Sequence, residues 1–141
     1  LAAQFQVNND SCYLKLARQQ PSQGAYDSFA WCKKDEKSDP KKNVNVKLGL
    51  ADLGVFLSVL NDKQTEGKLY HEFAVKDQPK VVTQMTIAQY VKDNVLKGYS
   101  FSLNRGGEKY GFLIGFGESE ILKIVIQKAI ELQCVVSLEK K

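Results

Sequence analysis

The stretch Val44-Asn45-Val46-Lys47-Leu48-Gly49-Leu50-Ala51-Asp52-Leu53-Gly54-Val55-Phe56-Leu57 changes its period halfway along. Up to Leu48 the apolar residues alternate: Val44, Val46 and Leu48 face one way, and Asn43, Asn45 and Lys47 the other. That is the pattern of a half-buried strand. Beyond Leu48, Leu50, Leu53, Phe56, Leu57 and Leu60 recur at three- and four-residue spacing, which predicts an amphipathic helix of about ten residues. Asp52 stands in its first turn, where a negative charge suits the helix dipole.

The same succession returns near the end of the chain. Tyr110, Phe112, Ile114 and Phe116 form one apolar face of a strand, and a helix is expected from about Glu118 to Gln133,. Glu118 and Glu120 lie in its first turn and Lys128 near its end,. An offset of 68 residues places Val44, Val46, Leu48 and Gly49 on Phe112, Ile114, Phe116 and Gly117, and Asp52, Leu53 and Phe56 on Glu120, Ile121 and Ile124.

Working outward, the first half reads as strands at 5–7, 12–18 and 25–34, with a turn at 21–24 and a charged loop over 33–42,. On the second strand Cys12, Leu14 and Leu16 alternate with Tyr13, Lys15 and Ala17. The second half reads as strands at 68–76, 80–90 and 98–104, then a hairpin turn at Arg105-Gly106-Gly107-Glu108, where glycines accept positive φ. The prediction is an α+β chain of two ββββα units, roughly 4–62 and 68–134, in one domain spanning 1–141. Each unit needs the other to bury its apolar face. The last helix is apolar around most of its girth, from Ile121 to Leu132, so a second subunit is the natural partner for its remaining side.

At 141 residues and 15.8 kDa the chain suits one domain,. With 43% hydrophobic and 26% charged residues it is expected to fold,. No apolar run approaches the roughly 20 residues that span a bilayer. The opening Leu1-Ala2-Ala3-Gln4-Phe5 shows no signal-peptide pattern, and Leu1 is expected not to be a native start,. Three cysteines, Cys12, Cys32 and Cys134, are odd in number and far apart, so reduced thiols in an intracellular compartment are expected,. The compartment itself stays open among mitochondrion, plastid, nucleus and cytoplasm.

Signals for catalysis are poor. There is no GxSxG, no CxxC and no HExxH, so no catalytic residue, metal or cofactor is assigned. His71 reads as a structural or surface residue, and Gly111, Gly115 and Gly117 alternate along a strand instead of forming a phosphate loop,. The net charge is +4, carried by 18 lysines and only two arginines, Arg18 and Arg105. Lysines acting as point charges on phosphates are therefore the natural expectation. Aromatic and basic residues share the strands: Tyr13, Lys15 and Arg18; Tyr26, Trp31 and Lys33; Lys47; Lys80; Tyr99; Arg105 and Lys109. Such a sheet offers rings to bases and cations to phosphates. The plain alternative is that Phe29, Trp31, Phe101 and Phe112 are core.

The strand-to-helix stretch from Val44 to Leu57, the segment Gly98-Tyr99-Ser100-Phe101-Ser102-Leu103-Asn104 and the final strand-helix from Tyr110 to Leu132 resemble the Whirly fold. That fold is known from plant single-stranded-DNA-binding Whirly proteins and kinetoplastid mitochondrial RNA-binding proteins. Pur-type proteins share the ββββα repeat. The resemblance implies two antiparallel sheets packed with helices, a tetramer built through the helices from identical subunits or with a paralogue, and no enzymatic activity. It also implies binding of single-stranded DNA or RNA with little sequence preference, in maintenance, annealing or transcription regulation. The plant Lys-Gly-Lys-Ala-Ala-Leu segment falls on Tyr13-Leu14-Lys15-Leu16-Ala17-Arg18, where Lys15 and Ala17 match and Tyr13 and Leu14 depart. On this reading Lys15, Lys47, Lys80, Lys109, Arg18 and Arg105 neutralise phosphates, and Tyr13, Tyr26, Trp31 and Tyr99 stack bases. A protein-binding scaffold of the same fold is the alternative.

Overall fold

The change of period at Leu48 is a change of element. The computed structural model describes residues 1–9, 11–20, 28–32, 39–74 and 76–139, apart from the side chains of Ser28 and 135–139. In it β5 (Asn43–Leu48) gives way through Gly49 to α1 (Leu50–Leu60). Gly49 is extended, its N–H donates to Asp52 Oδ2 at 2.8 Å, and its carbonyl accepts the Leu53 N–H at 3.0 Å. The acid at the third helical position thus reaches back to the cap and complements the positive helix end.

The second passage repeats this geometry. β9 (Glu108–Ile114) leads through Gly115 into α2 (Phe116–Glu139). The Gly115 N–H donates to Glu118 Oε1 at 3.1 Å, and its carbonyl accepts the Ser119 N–H at 2.9 Å. Gly49 and Gly115 are therefore equivalent, and the offset between the halves is 66 residues, not 68. Phe116, expected as the last inward residue of the strand, is the first of the helix. It is 51% exposed, with its ring edge-on to Tyr99.

In the first half β1 (Ala2–Asn8), β2 (Ser11–Ala17) and β5 form an antiparallel sheet in the order β1-β2-β5. The continuous third strand expected over 25–34 is not seen among the described residues. β3 (Gln19–Gln20) and β4 (Ser28–Phe29) pair only with each other, while β2 pairs directly with β5, Cys12 opposite Leu48 and Leu16 opposite Val44. The backbone of Arg18 explains the divergence: its N–H goes to Lys42 O and its carbonyl takes the Ala30 N–H. The expected aromatic Tyr26 and the basic Lys33 lie outside the described residues.

The second half is an uninterrupted antiparallel meander, β6 (Glu66–Phe73), β7 (Val81–Lys92), β8 (Val95–Arg105) and β9. Gly106 and Gly107 close the last hairpin with φ of 59° and 82°, the left-handed pair that a two-residue turn of this kind requires.

Each helix reaches across to the other unit's sheet. α1 and α2 pack on each other, α1 also against β6 and β7, and α2 against β1 and β2 as well as β8. Gly67 permits the first approach: a Cβ there would stand 2.3 Å from Val55 Cγ1,. Phe56 is fully buried, stacked on Phe101 of the second sheet and edge-on to Phe5 of the first, both at 5.8 Å between centroids. α2 buries Leu122, Ile126 and Ala129, while Ile121 and Ile124 are each 67% exposed.

Candidate functional site

Alternation along β2 and β5 sends Cys12, Leu14, Leu16, Val44 and Val46 into the core. The opposite face of that sheet is set by register. Gln6, Tyr13 and Lys47 stand side by side across the three strands, and Gln4, Lys15 and Asn45 form the next row. No aspartate or glutamate occurs in β1, β2 or β5. Neither Lys15 nor Lys47 is in an ion pair with another described residue. The part-exposed Tyr13 ring thus stands beside Lys47 and one row from Lys15, two lysines that no carboxylate among the described residues neutralises. The structure brings these three expected residues together.

The second sheet presents a different outer face. Its rows are Tyr70, Gln84, Asn104 and Lys109, then Lys68, Thr86, Ser102 and Gly111. Here the cations are partly compensated. Lys68 pairs with Glu66 at 3.5 Å, and Lys80 with Glu72 at 2.5 Å. The Tyr70 hydroxyl donates to the same Glu72 at 3.0 Å. The Lys80 hydrogen bond, seconded by Tyr70, holds the Glu72 carboxyl below its ordinary pKa. The same contact raises Lys80, and donation to Glu72 raises Tyr70. Lys80 is thus an exposed cation already engaged by a carboxylate.

Arg18 and Lys109 meet at a junction that clamps the first unit to β9. Arg18 Nη2 donates to Lys109 O at 2.8 Å and to Glu108 Oε2 at 3.3 Å, with its guanidinium 4.2 Å from the Tyr110 ring centre. The Tyr110 hydroxyl donates to Pro40 O, and burial pushes its pKa up. Lys109 keeps its own side chain exposed on the second sheet. Trp31 is 37% exposed just beyond β4.

Tyr99, expected to stack bases, is a core residue. It is 3% exposed, and its hydroxyl donates to Asp62 Oδ1 at 2.8 Å with Leu60 O also in reach at 3.2 Å. Burial first, then the bond to Asp62, pushes its pKa up to about 12. Its parity explains the placement: Tyr99 alternates in step with Phe101 and Leu103, both buried.

Arg105 also faces inward, at the seam between the sheets. Its Nε donates to Thr83 Oγ1 at 2.7 Å and its Nη2 reaches Asn45 O at 3.4 Å. His71 Nε2 lies 2.8 Å from Asp52 Oδ2, so the lone histidine braces the acid that caps α1. Burial raises the Cys12 thiol pKa, whereas Cys134 is exposed and Cys32 half-buried. No group of three acidic, histidine or cysteine side chains among the described residues is placed to hold a metal ion. No helix among the described residues is long and apolar enough to cross a membrane. Gln4, Gln6 and Asn45 complete the first sheet's outer face and were not singled out from the sequence as site residues. Alternation on β1 and β5 was the available signal.

No family model matches the chain, and no curated protein matches it. Solved structures do. WHY3 from Arabidopsis thaliana is similar at 12% identity and a TM-score of 0.59, over 99% of this chain and 92% of its own. The plant transcriptional regulator PBF-2 is similar at 11% identity and a TM-score of 0.57, over 98% and 85%. The Trypanosoma brucei MRP1/MRP2 structure is similar at 12% identity and a TM-score of 0.54, over 92% and 80%. The likeness runs through both units and both strand-to-helix passages, and the chain has a Whirly-like α+β fold.

Proposed function

We propose that this chain binds single-stranded DNA or RNA with little sequence preference on the outer face of its first sheet. The observation that carries the reading is the acid-free β1-β2-β5 face, where Tyr13 stands beside Lys47 and one row from Lys15. Ammonium groups neutralise phosphates as point charges, and a tyrosine ring stacks on any base. No arginine stands on those strands, so the bidentate reading of base edges is absent there. Lys109 and Trp31, exposed elsewhere, extend the contact, as Tyr26 and Lys33 do in the sequence-based scheme. Arg18 and Lys80 contribute less, since Glu108 and Glu72 engage them. No catalytic group takes part.

Assembly belongs to the same proposal. Leu113, Phe116, Ile121 and Ile124 form an exposed apolar set at the β9–α2 passage, of the kind that marks a subunit contact. A tetramer of identical chains or with a paralogue fits it. The fold shared with a plant transcriptional regulator supports transcription regulation as the process, beside annealing and strand protection.

Fluorescence anisotropy with single-stranded DNA, single-stranded RNA and duplex of equal length, at low and high salt, tests the reading. Salt-sensitive binding to single strands over duplex is expected. Replacing Lys15 and Lys47 by Gln should flatten the log–log salt slope by about 1.4, roughly 0.7 per lost phosphate contact. Failure to bind any of the three at low salt would leave a protein-binding scaffold.

A further inference from the structure

Lys47 belongs to two surfaces. It stands on the outer face of the first sheet, and it also lines a groove of about 540 Å³ between β5 and the β6–β7–β8 side of the second sheet. Its volume lies in the range of about 300–1,000 Å³ usual for small-molecule sites. The walls are of two kinds. Arg105 and Lys47 supply positive charge, and Phe73 and Val81 supply apolar surface, Phe73 being 63% exposed. His71 lines the groove too, its ring held by Asp52.

Arg105 is the telling group. Its guanidinium is partly buried, and among the described residues its hydrogen bonds go to neutral oxygens, those of Thr83 and Asn45. Among the described residues no carboxylate pairs with it. Glu72, the acid on the groove wall, is engaged by Lys80 and Tyr70. A desolvated cation without a counter-ion favours an anion, and a guanidinium fork suits phosphate oxygens. An exposed phenylalanine ring beside such a cation suits a base, because every base has a π-face.

We infer that this groove seats one nucleotide of the bound strand, its phosphate on Arg105 and Lys47 and its base against Phe73 and Val81. The inference rests on the single-strand reading above and gives the strand a place to turn off the sheet face at Lys47.

Two measurements on the intact protein test it. Isotope-labelled protein is titrated with thymidine 5′-monophosphate and, separately, with inorganic phosphate. The nucleotide should shift amide resonances in 45–47, 71–73 and 81–83 and at Arg105, and phosphate alone only those near Lys47 and Arg105. Phe73→Ala, at an exposed position that leaves the fold intact, should weaken oligonucleotide binding about 5- to 150-fold. Strand binding that Phe73→Ala leaves unchanged, with no groove shifts from the nucleotide, overturns the groove and spares the single-strand reading. An intact protein that binds no strand at low salt overturns that reading, and the groove with it.

Discussion

In the second unit four strands follow one another without a break, and the Gly106-Gly107 turn keeps β8 and β9 in register from Tyr99 to Arg105. In the first unit β2 pairs directly with β5, and the chain between them adds only the short β3–β4 pair among the described residues. Both sheets nonetheless turn the same kind of surface inward, and both units end in a glycine-capped helix with an acid at its third position. The likeness is confined to the core and the caps, where burial leaves little choice. The difference lies on the outer faces: β1, β2 and β5 carry lysines and no acids, while β6 carries Glu66 and Glu72 against its neighbouring lysines. A repeat that must pair its apolar faces is held alike inside and is free to diverge outside.

The largest test of this near-symmetry is in the core. Phe56 and Leu122 are equivalent at the 66-residue offset. Phe56 is fully buried with ring partners in both sheets, and Leu122 is 8% exposed. Phe56→Ala should cost about 3–5 kcal/mol, and Leu122→Ala an amount toward the low end of about 2–5 kcal/mol. Urea midpoints at unchanged slope measure both. Equal losses would mean that the two helices hold the sheets together equally and that Phe56 has no special place.

Much of this was legible. The switch from period two to period 3.6 at Leu48 located a strand and a helix, and the paired glycines located a hairpin. The offset was misjudged because Phe116 extends the alternation of Tyr110, Phe112 and Ile114, and apolar periodicity alone does not say where a strand stops. The glycine with an acid three residues on, Gly49 with Asp52 and Gly115 with Glu118, was the better guide, since it reports a hydrogen bond and not a face. Tyr99 was misplaced by residue type when its parity with Phe101 and Leu103 already put it inside. Tyr13, Lys15 and Lys47 were legible because each strand's alternation is local. The Arg105–Phe73 groove was not, because it forms only where two sheets meet.

Tyr99 has no tyrosine counterpart at the offset position in the first unit, where Lys33 stands, so its loss probes the second unit alone. Tyr99→Phe keeps the ring and removes the bonds to Asp62 and Leu60, at a cost of about 1–2 kcal/mol. The folded pKa of about 12 lies above the ordinary 10, so the hydroxyl's contribution is complete below pH 10 and is lost as pH rises toward 12,. The wild-type melting temperature should therefore fall more steeply than that of Tyr99→Phe between pH 10 and 12. Parallel curves would show that the hydroxyl titrates alike in the folded and the unfolded chain, and that the core does not raise its pKa.

The smallest effect compares the two caps. Asp52 accepts the Gly49 N–H at 2.8 Å and also holds His71 Nε2 at 2.8 Å, which joins the start of α1 to β6. Among the described residues Glu118 accepts the Gly115 N–H alone, at 3.1 Å. Asp52→Ala should cost about 1 kcal/mol and Glu118→Ala a few tenths. If the excess belongs to the histidine, His71→Ala and Asp52→Ala will couple by about 0.5 kcal/mol or more in a double-mutant cycle, whereas His71→Ala and Glu118→Ala will add. Additivity in both cycles would reduce the two acids to the same local cap, and the asymmetry between the units would then lie wholly in their sheets.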